Sequence, residues 1–341
     1  MQPPAALSRY REPLEAHLRS LLDAPRPSSL RRMLRYHMGW EEADGQLAGH
    51  TGKRLRPALC LLTCEALGGE IAQALPMASA LELVHNFSLV HDDVQDRDLK
   101  RHGRDTVWAI WGEAQAINAG DALLAIAHRA MASASEAGLP TATVVLAAGF
   151  LAERTLEMVE GQVMDIEFEA RTDVSPEEYL AMVSLKTGAL FDASLALGAI
   201  AAGASLQKIE AMGRCGRSLG IAFQARDDVL GVWGDESRTG KASGADIRRR
   251  KKSLPAIHAF AHADAGQREQ LGRIYGRDNV SDTDVEWVLA LMDSVGASQY
   301  CAGVADEHRG AALRELDSAG LTPEGSAEIQ ELADFLLKRD Y

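Results

Sequence analysis

Long uncharged apolar segments, signal-peptide features and metal-binding cysteine patterns are all missing from this sequence. No stretch of about 18 apolar residues runs without a charge, so no segment is expected to span a bilayer. Near the amino terminus, Arg9, Arg11 and Glu12 stand where a signal peptide would need an apolar core. Cys60 and Cys64 lie one helical turn apart on an apolar stretch, which is typical of packed thiols. These features predict a protein of the reducing cytoplasm.

An excess of positive charge is also missing. The chain has 36 Lys and Arg against 49 Asp and Glu, which gives a net charge of −13. Such a surface repels nucleic acids and anionic membranes, so neither is an expected partner. Local basic clusters therefore require a local explanation.

Strand signals are weak throughout. No run of alternating β-branched residues occurs, and aromatic residues make up only 5% of the chain. Length alone suggests about two domains, but no internal repeat or low-complexity linker divides the sequence. The pattern predicts a single all-α domain over residues 1–341, with its motifs within about residues 50–255 and further helices in 256–341.

Apolar periodicity and helix-end signals mark the individual helices. A basic turn at Thr51 is expected to open a helix that Gly68 and Gly69 stop, and SPEE at 175–178 resembles a helix amino terminus. The other predicted helices lie before about residue 38, at 72–96, from about 114, at 140–168, 185–202 and 206–232. Four shorter amphipathic helices are expected between residues 252 and 338.

The helix predicted at 72–96 ends in an acidic cluster formed by Asp92, Asp93 and Asp96. Asp92 and Asp96 are four residues apart, so in a helix they point to the same side. Two such carboxylates repel each other unless a cation lies between them. Mg²⁺ shared with a phosphate is the obvious candidate. A single cluster of this kind is equally typical of a solvated helix end.

A second acidic cluster follows another apolar helix. Asp227 and Asp228 end an apolar run, and Asp235, Asp246, Lys241, Lys251 and Lys252 lie downstream. Glycines between residues 234 and 244 predict a loop that can fold over a ligand. The basic run 248–252 would usually be a solvated face, but beside carboxylates a phosphate contact becomes more plausible.

Two further basic positions suit a phosphate. Lys53, Arg54 and Arg56 lie at a helix amino terminus, where backbone N–H groups also attract anions. Lys186 interrupts an apolar stretch, where a lysine needs an anionic partner. Apolar helices leading away from metal-binding carboxylates describe a site for a long hydrocarbon that carries a diphosphate.

These motifs together resemble those of the trans-isoprenyl diphosphate synthases, or polyprenyl synthetases. The matching pieces are GKRLRP (52–57), ELVHNFSLVHDDVQD (82–96), KTG (186–188), FQARDDVLGVWGD (223–235), TGK (239–241) and KKSLP (251–255), in the family's order. The resemblance implies an all-α bundle of the isoprenoid synthase type around a central apolar cavity. It also implies a homodimer that elongates prenyl chains head-to-tail with Mg²⁺.

Roles carry over by position from this resemblance. Asp92, Asp96 and Asp227 would hold about three Mg²⁺ ions that bridge the allylic diphosphate, with Asp93 and Asp228 in support. The allylic diphosphate would be surrounded by Arg101, Lys186, Thr187, Gln224 and Lys241. Isopentenyl diphosphate would be held by Lys53, Arg56 and His85, and Lys251 would help to close the loop.

Three positions depart from the family pattern. His102 stands where a second arginine is usual, Asp105 replaces a proline, and Gly231 replaces a third aspartate of the second cluster. Neutral histidine lacks the charge and the fork of arginine, so His102 is expected to weaken the isopentenyl diphosphate site. Arg104 could compensate. The alternative is a class I terpene cyclase, or a prenyltransferase that uses a different acceptor.

The residues before Asp92 bear on product length. Phe87 and Ser88, five and four positions earlier, would line the cavity floor and resemble the pattern of geranylgeranyl diphosphate (C20) synthases, with C15 also possible. Phe87 is equally explained as ordinary core packing. A non-catalytic partner subunit is disfavoured because both acidic clusters are largely preserved. Candidate dimer helices are 114–134 and 141–158.

Overall fold

Helices account for most of the described structure. The computed structural model describes residues 4–23, 28–49, 52–234, 244–277 and 279–338. In chain order its helices are α1 (Ala5–Arg9), α2 (Arg11–Leu22), α3 (Ser29–His37), α4 (Leu55–Ala66), α5 (Ile71–Gln95), α6 (Val107–Trp111), α7 (Glu113–Ala132), α8 (Thr141–Glu169), α9 (Pro176–Val183), α10 (Ala189–Ala201), α11 (Leu206–Trp233), α12 (Ala245–Arg248), α13 (Leu254–His262), α14 (Ala265–Tyr275), α15 (Asp282–Ser294), α16 (Ala297–Ser318) and α17 (Pro323–Lys338). The predicted all-α bundle is confirmed.

Helix α10 is the centre of this bundle. Every residue from Ala189 to Ala201 is buried, and α4, α5, α8 and α11 pack around it. Gly198 allows the approach of α4, because a Cβ at this position would lie 2.3 Å from the carbonyl oxygen of Cys60. Being enclosed on all sides explains why this helix is apolar around its whole circumference.

Helices α9 and α10 belong to one apolar segment joined by an unusual turn. Ser175 and Glu178 form a capping box at the start of α9, as SPEE predicts. Between the helices, Ser184–Gly188 form a π-helical turn, a rare feature that often occurs at functional sites. The sequence predicted an uninterrupted helix from residue 185 instead.

The same segment, Pro176–Ala201, is long and apolar enough to cross a membrane by length and composition. The charge of Lys186 interrupts this segment, so the sequence pattern predicts no membrane span here. In the fold, 67% of its most apolar window is buried inside the protein. Burial between other helices therefore accounts for its composition.

Three local predictions about secondary structure need correction. Helix α4 begins at Leu55, later than predicted, because Arg54 adopts the left-handed conformation (φ +50°) and cannot continue a helix. In the described part of the chain, five helices follow residue 252 instead of four. A short hairpin, β1 (Lys100–Arg101) and β2 (Arg104–Asp105), follows α5. Its turn residues both have positive φ, which is typical of a type I′ turn.

Helices α12–α15 pack on the end of α11 through an apolar cluster of their own, which includes Val232, Ile247, Phe260, Val288 and Met292. Gly244 (φ +75°) starts α12, and its N–H donates to the carbonyl of Val232 over 3.0 Å. This contact places α12 directly against the last turns of α11.

Candidate active site

The first acidic cluster lies at the carboxyl end of α5. Asp93 is 2% exposed and accepts a hydrogen bond from Arg101 Nε over 2.7 Å. Burial raises the pKa of Asp92 to about 6; the charge of Lys186 opposes this increase and that of Asp96 adds to it. The protein therefore compensates the charge of Asp92 only in part, and a bound cation would stabilise it.

The second acidic cluster lies on α11, where Asp228 is fully buried. Its carboxylate accepts hydrogen bonds from Tyr179 Oη (2.5 Å), Gln224 Nε2 (2.9 Å) and the backbone N–H of Leu254 (3.1 Å). Three protein donors already occupy this group, which suits a supporting role. Its neighbour Asp227 is half-buried.

The π-helical turn brings polar side chains between the two clusters. Lys186 Nζ lies 2.5 Å from a carboxylate oxygen of Asp165 on α8. Thr187 Oγ1 donates to Gln224 Oε1 over 3.1 Å, and Gln224 in turn holds Asp228. A small cavity of about 40 Å³ lies among these residues. The predicted anionic partner of Lys186 is thus Asp165.

Two contacts fix the turn against its neighbours. Gly161 lets α8 approach closely, since a Cβ there would lie 2.3 Å from the backbone nitrogen of Lys186. On the other side, Arg217 Nη1 of α11 donates to the carbonyl of Ser184 over 3.3 Å. The guanidinium of Arg217 also contacts Asp192 (2.8 Å) and Glu157 (2.6 Å).

Arg56 and His85 meet between α4 and α5. Arg56 Nη1 lies 3.1 Å from His85 Nε2, and because a guanidinium can only donate, the imidazole nitrogen accepts. Burial, and then the charge of Arg56, lower the pKa of His85, so the ring is neutral. Lys53 precedes Arg56 by three residues and is exposed. Its Nζ lies 6.0 Å from the ring centroid of Phe335.

Two arginines that the sequence associated with the site serve the fold instead. Arg54 is buried and pairs with Glu15 and Glu82, both at 2.7 Å. Arg104 donates to the backbone carbonyls of Tyr36 (3.0 Å) and Glu41 (2.8 Å). Arg104 therefore points into the segment after α3, and its predicted compensation for His102 is wrong.

The remaining predicted basic residues occupy the rim or lie outside the described residues. His102 is exposed at the hairpin tip with φ +51°. Lys251 is 44% exposed, and its Nζ lies 4.0 Å from Asp228 Oδ1. Lys241 and Asp235 fall in the range 235–243, outside the described residues. After this range, Arg249 pairs with Asp98 over 3.2 Å and so ties the segment to the end of α5.

Phe87 and Ser88 lie on α5, about one turn after a residue that lines a cavity. Phe87 is 9% exposed, and its ring packs edge-on against His91 with centroids 4.9 Å apart. Ser88 Oγ donates to the carbonyl of His85 over 2.8 Å. One helical turn before Phe87, Val84 lines a cavity of about 210 Å³ between α5, α7 and α8.

Sequence reasoning missed Asp165, Tyr179 and Arg217. Asp165 interrupts the apolar pattern of α8 near its carboxyl end, as Asp92 does on α5, and this interruption was an available signal. Tyr179 and Arg217 gave no local signal, because their partners lie 49 and up to 60 residues away.

The carboxylates fit a metal that is shared with a substrate. Within the described ranges, no three Asp, Glu, His or Cys side chains converge closely enough to hold a metal ion. Mg²⁺ commonly binds one or two carboxylates and completes its oxygen shell with water and substrate phosphates. The paired carboxylates Asp92 and Asp96 suit such a shared ion.

Known proteins of one family match this chain over most of its length. The family model described as Polyprenyl synthetase matches residues 41–292. Over 326 residues the chain is 38% identical to the (2E,6E)-farnesyl diphosphate synthase of Mycobacterium tuberculosis (strain ATCC 25618 / H37Rv), covering 94% of this chain and 89% of that relative.

Solved structures show the same relationship. A polyprenyl synthetase from Streptomyces coelicolor A3(2) superposes with a TM-score of 0.91 at 36% identity, covering 98% of this chain and 99% of the other. A geranylgeranyl pyrophosphate synthase from Corynebacterium glutamicum, complexed with isoprenyl diphosphate and magnesium, gives 0.83 at 25% identity, covering 99% and 100%. The chain therefore belongs to the polyprenyl synthetase family and is a trans-prenyltransferase.

Proposed function

We propose that this enzyme condenses isopentenyl diphosphate head-to-tail with an allylic diphosphate in a Mg²⁺-dependent reaction. Its product is a linear trans-prenyl diphosphate, C20 in our proposal, with C15 as the shorter alternative. The observation that carries the proposal is the connected set Asp228–Gln224–Thr187 beside the Lys186–Asp165 pair. Lys186 and Thr187 lie between the two carboxylate clusters, where they would bind the diphosphate.

Mg²⁺ would be held by Asp92, Asp96 and Asp227; the relative solved with isoprenyl diphosphate and magnesium supports the use of this metal. When bound, Mg²⁺ neutralises charge that develops on the leaving diphosphate. Arg101, anchored by buried Asp93, adds a fixed positive charge on the same side. Lys186 faces the carboxylate of Asp165, and a diphosphate oxygen, which accepts the same kind of charge-assisted hydrogen bond, would compete for its ammonium group.

These residues hold the diphosphate while the allylic C–O bond breaks, and the electron pair leaves with the diphosphate. Lys53, Arg56 and His85 would hold the second diphosphate so that the double bond of isopentenyl diphosphate faces the allylic carbon. A new C–C bond forms, and the proton lost from the acceptor goes to the released diphosphate. The apolar walls exclude water, which would otherwise quench the cation to an alcohol.

The length of the product would be set by Phe87 and Ser88. Along α5, Phe87 lies between Asp92 of the acidic cluster and Val84, which lines the cavity of about 210 Å³, so its ring would stop a growing chain. The family alone does not fix this length, because the relatives above are named for farnesyl and geranylgeranyl diphosphate synthesis.

We further propose a homodimer formed through α7 and α8. Several large apolar side chains are exposed on these helices: Ile117, Val145, Leu146, Leu156, Val159, Val163 and Ile166. On α8, residues 156, 159, 163 and 166 recur at helical spacing and form one stripe. Contiguous exposed apolar surface of this kind marks an interaction site. If Val159→Asp gave the same sedimentation coefficient as the unmodified dimer, this interface would be wrong.

The location proposed for the enzyme is the cytoplasm. Cys60, Cys64, Cys215 and Cys301 are all free and buried. Unpaired thiols are the usual state in a reducing compartment.

The test is a product assay. Purified protein is incubated with Mg²⁺, labelled isopentenyl diphosphate and dimethylallyl, geranyl or farnesyl diphosphate separately, and the dephosphorylated products are identified by mass spectrometry. A linear C20 alcohol is the expected product. A C15 product would support the synthase activity but show that Phe87 does not limit the product to C20. Hydrocarbons, or unused isopentenyl diphosphate, would favour the cyclase or a different acceptor.

A further inference from the structure

We infer that Arg217 is a positioning residue for Lys186 and Thr187. It holds the π-helical turn Ser184–Gly188 in the shape that presents these two side chains to the allylic diphosphate. The inference rests on the diphosphate-binding role proposed above. It concerns a residue that lies outside every acidic and basic motif recognised in the sequence.

Arg217 contacts both ends of the turn. Its Nη1 donates to the carbonyl of Ser184, the first residue of the turn, over 3.3 Å. At the other end, Gly188 is so close that a Cβ there would lie 3.2 Å from Arg217 Cγ and 3.4 Å from the Arg217 carbonyl oxygen. A π-helical turn is rare because its wide hydrogen bonds are less favourable than those of an α-helix. A residue that donates to one end of the turn and packs closely against the other stabilises it.

The guanidinium is itself fixed from two other helices. Arg217 Nη2 lies 2.8 Å from Asp192 on α10 and 2.6 Å from Glu157 on α8, and Nε lies 3.2 Å from Asp192. Arg154 pairs with the same two carboxylates. The guanidinium of Arg217 therefore donates to three elements at once: the turn, α8 and α10. A lysine cannot reproduce this geometry.

The turn matters because Lys186 and Thr187 are its central residues and bind partners on different helices. Lys186 faces Asp165 on α8, whereas Thr187 donates to Gln224 on α11. If the turn relaxed to an α-helix, the side chains after it would point in a different direction around the helix axis, by about 100° for each residue of shift in register. Both side chains could not then keep their present partners.

Arg217→Met tests the inference, with Arg214→Met as the matched control. Arg214 lies one turn earlier on α11 and pairs with Glu315 over 2.9 Å, away from the π-helical turn. For Arg217→Met we expect kcat to fall about a hundredfold, as misplacement of a binding group can cause. The KM for geranyl diphosphate should rise about tenfold while that for isopentenyl diphosphate stays unchanged. Arg214→Met should change none of these constants.

A double-mutant cycle with Lys186→Ala separates positioning from general stability. If Arg217 acts through Lys186, the two changes in the KM for geranyl diphosphate are not additive. Additive effects, or equal changes in both KM values, would overturn the inference. If Arg217→Met does not fold, Arg217→Lys replaces it, because lysine keeps the positive charge beside Asp192. Arg217→Lys should show the same selective rise in the KM for geranyl diphosphate. Unchanged kcat and KM values in this variant would also overturn the inference. An unmodified enzyme without synthase activity would instead refute the proposed function.

Discussion

The carboxylate of Asp246 lies directly against the backbone of Gly231. A Cβ built on Gly231 would be 2.1 Å from Asp246 Oδ2 and 2.5 Å from its carboxyl carbon. Position 231 follows Asp227 by four residues and so shares its helix face. Asp246, which is 9% exposed, thus occupies the space of the side chain that the family pattern has at position 231. This packing explains why glycine is tolerated there.

Gly231→Ala should therefore destabilise the protein, because the new methyl group forces the carboxylate of Asp246 out of place. We expect a loss of about 1–3 kcal/mol in the free energy of unfolding, measured by urea denaturation. Adding Asp246→Gly to this variant removes the collision and should recover most of the loss. Gly303→Ala is the control, since open space surrounds Gly303 and alanine favours a helix by about 1 kcal/mol. Equal changes in the free energy of unfolding for Gly231→Ala and Gly303→Ala would contradict the close packing of Asp246 on Gly231.

Phe87→Ala should lengthen the product. Removing the ring would leave space on α5 one turn from the cavity of about 210 Å³ at Val84, which should give the growing chain more room. The loss of a buried phenyl ring should cost about 3–5 kcal/mol of stability. Phe260→Ala, a 5% exposed phenylalanine in the cluster of α12–α15, should cost as much without altering the product. If mass spectrometry showed the same product length for Phe87→Ala, another residue would form the floor of the product cavity.

His102→Arg should strengthen the site for isopentenyl diphosphate. The exposed hairpin tip can carry a longer side chain, and a charge-assisted hydrogen bond to a diphosphate contributes about 1.5–3 kcal/mol. We therefore expect the KM for isopentenyl diphosphate to fall at least about tenfold, with the KM for the allylic substrate unchanged. Gln299→Arg adds the same charge at an exposed position on α16. If both variants kept the original KM, residue 102 would not contact this substrate.

Asp92 should make the metal-free protein less stable as the pH rises. Its pKa in the folded protein is about 6, against an ordinary value of 3.8, so the folded state binds more protons than the unfolded state between these values. The contribution of Asp92 to the free energy of unfolding therefore decreases as pH rises through this window. Asp92→Asn should raise the Tm in EDTA at about pH 7 and leave it little changed near pH 4.

Mg²⁺ competes with the same protons, so its stabilising effect should weaken below about pH 6. Asp317→Asn, at an exposed position on α16, controls for the loss of one negative charge. A Tm for Asp92→Asn that matched the unmodified protein across this pH range would show that burial does not raise the pKa of Asp92.

Local patterns predicted those parts of the site that local structure determines. Helix α5 and its acidic end followed from apolar periodicity and from the spacing of Asp92 and Asp96. The capping box at Ser175 and Glu178 depends on four consecutive residues and was also predicted. The partner of Lys186 was expected to be anionic, since a buried lysine requires one, but nothing local identified Asp165.

Features that depend on distant contacts were not predictable. Arg54 appeared to belong to a basic phosphate site, and only the positions of Glu15 and Glu82 on other helices show it as a buried structural residue. The π-helical turn likewise depends on Arg217, 33 residues from Ser184. Helix periodicity carries no information about such pairs, because they arise from the packing of whole helices.

The most direct measurement is the rate at which labelled isopentenyl diphosphate enters a longer prenyl diphosphate. It is made with geranyl diphosphate and Mg²⁺ for the unmodified enzyme, Asp92→Asn, Asp227→Asn and the control Asp317→Asn. We expect a linear elongated product, formed at least about a hundredfold more slowly when either cluster loses its carboxylate. Rates in Asp92→Asn and Asp227→Asn equal to that of the unmodified enzyme, or no incorporation by any of the proteins, would contradict this expectation.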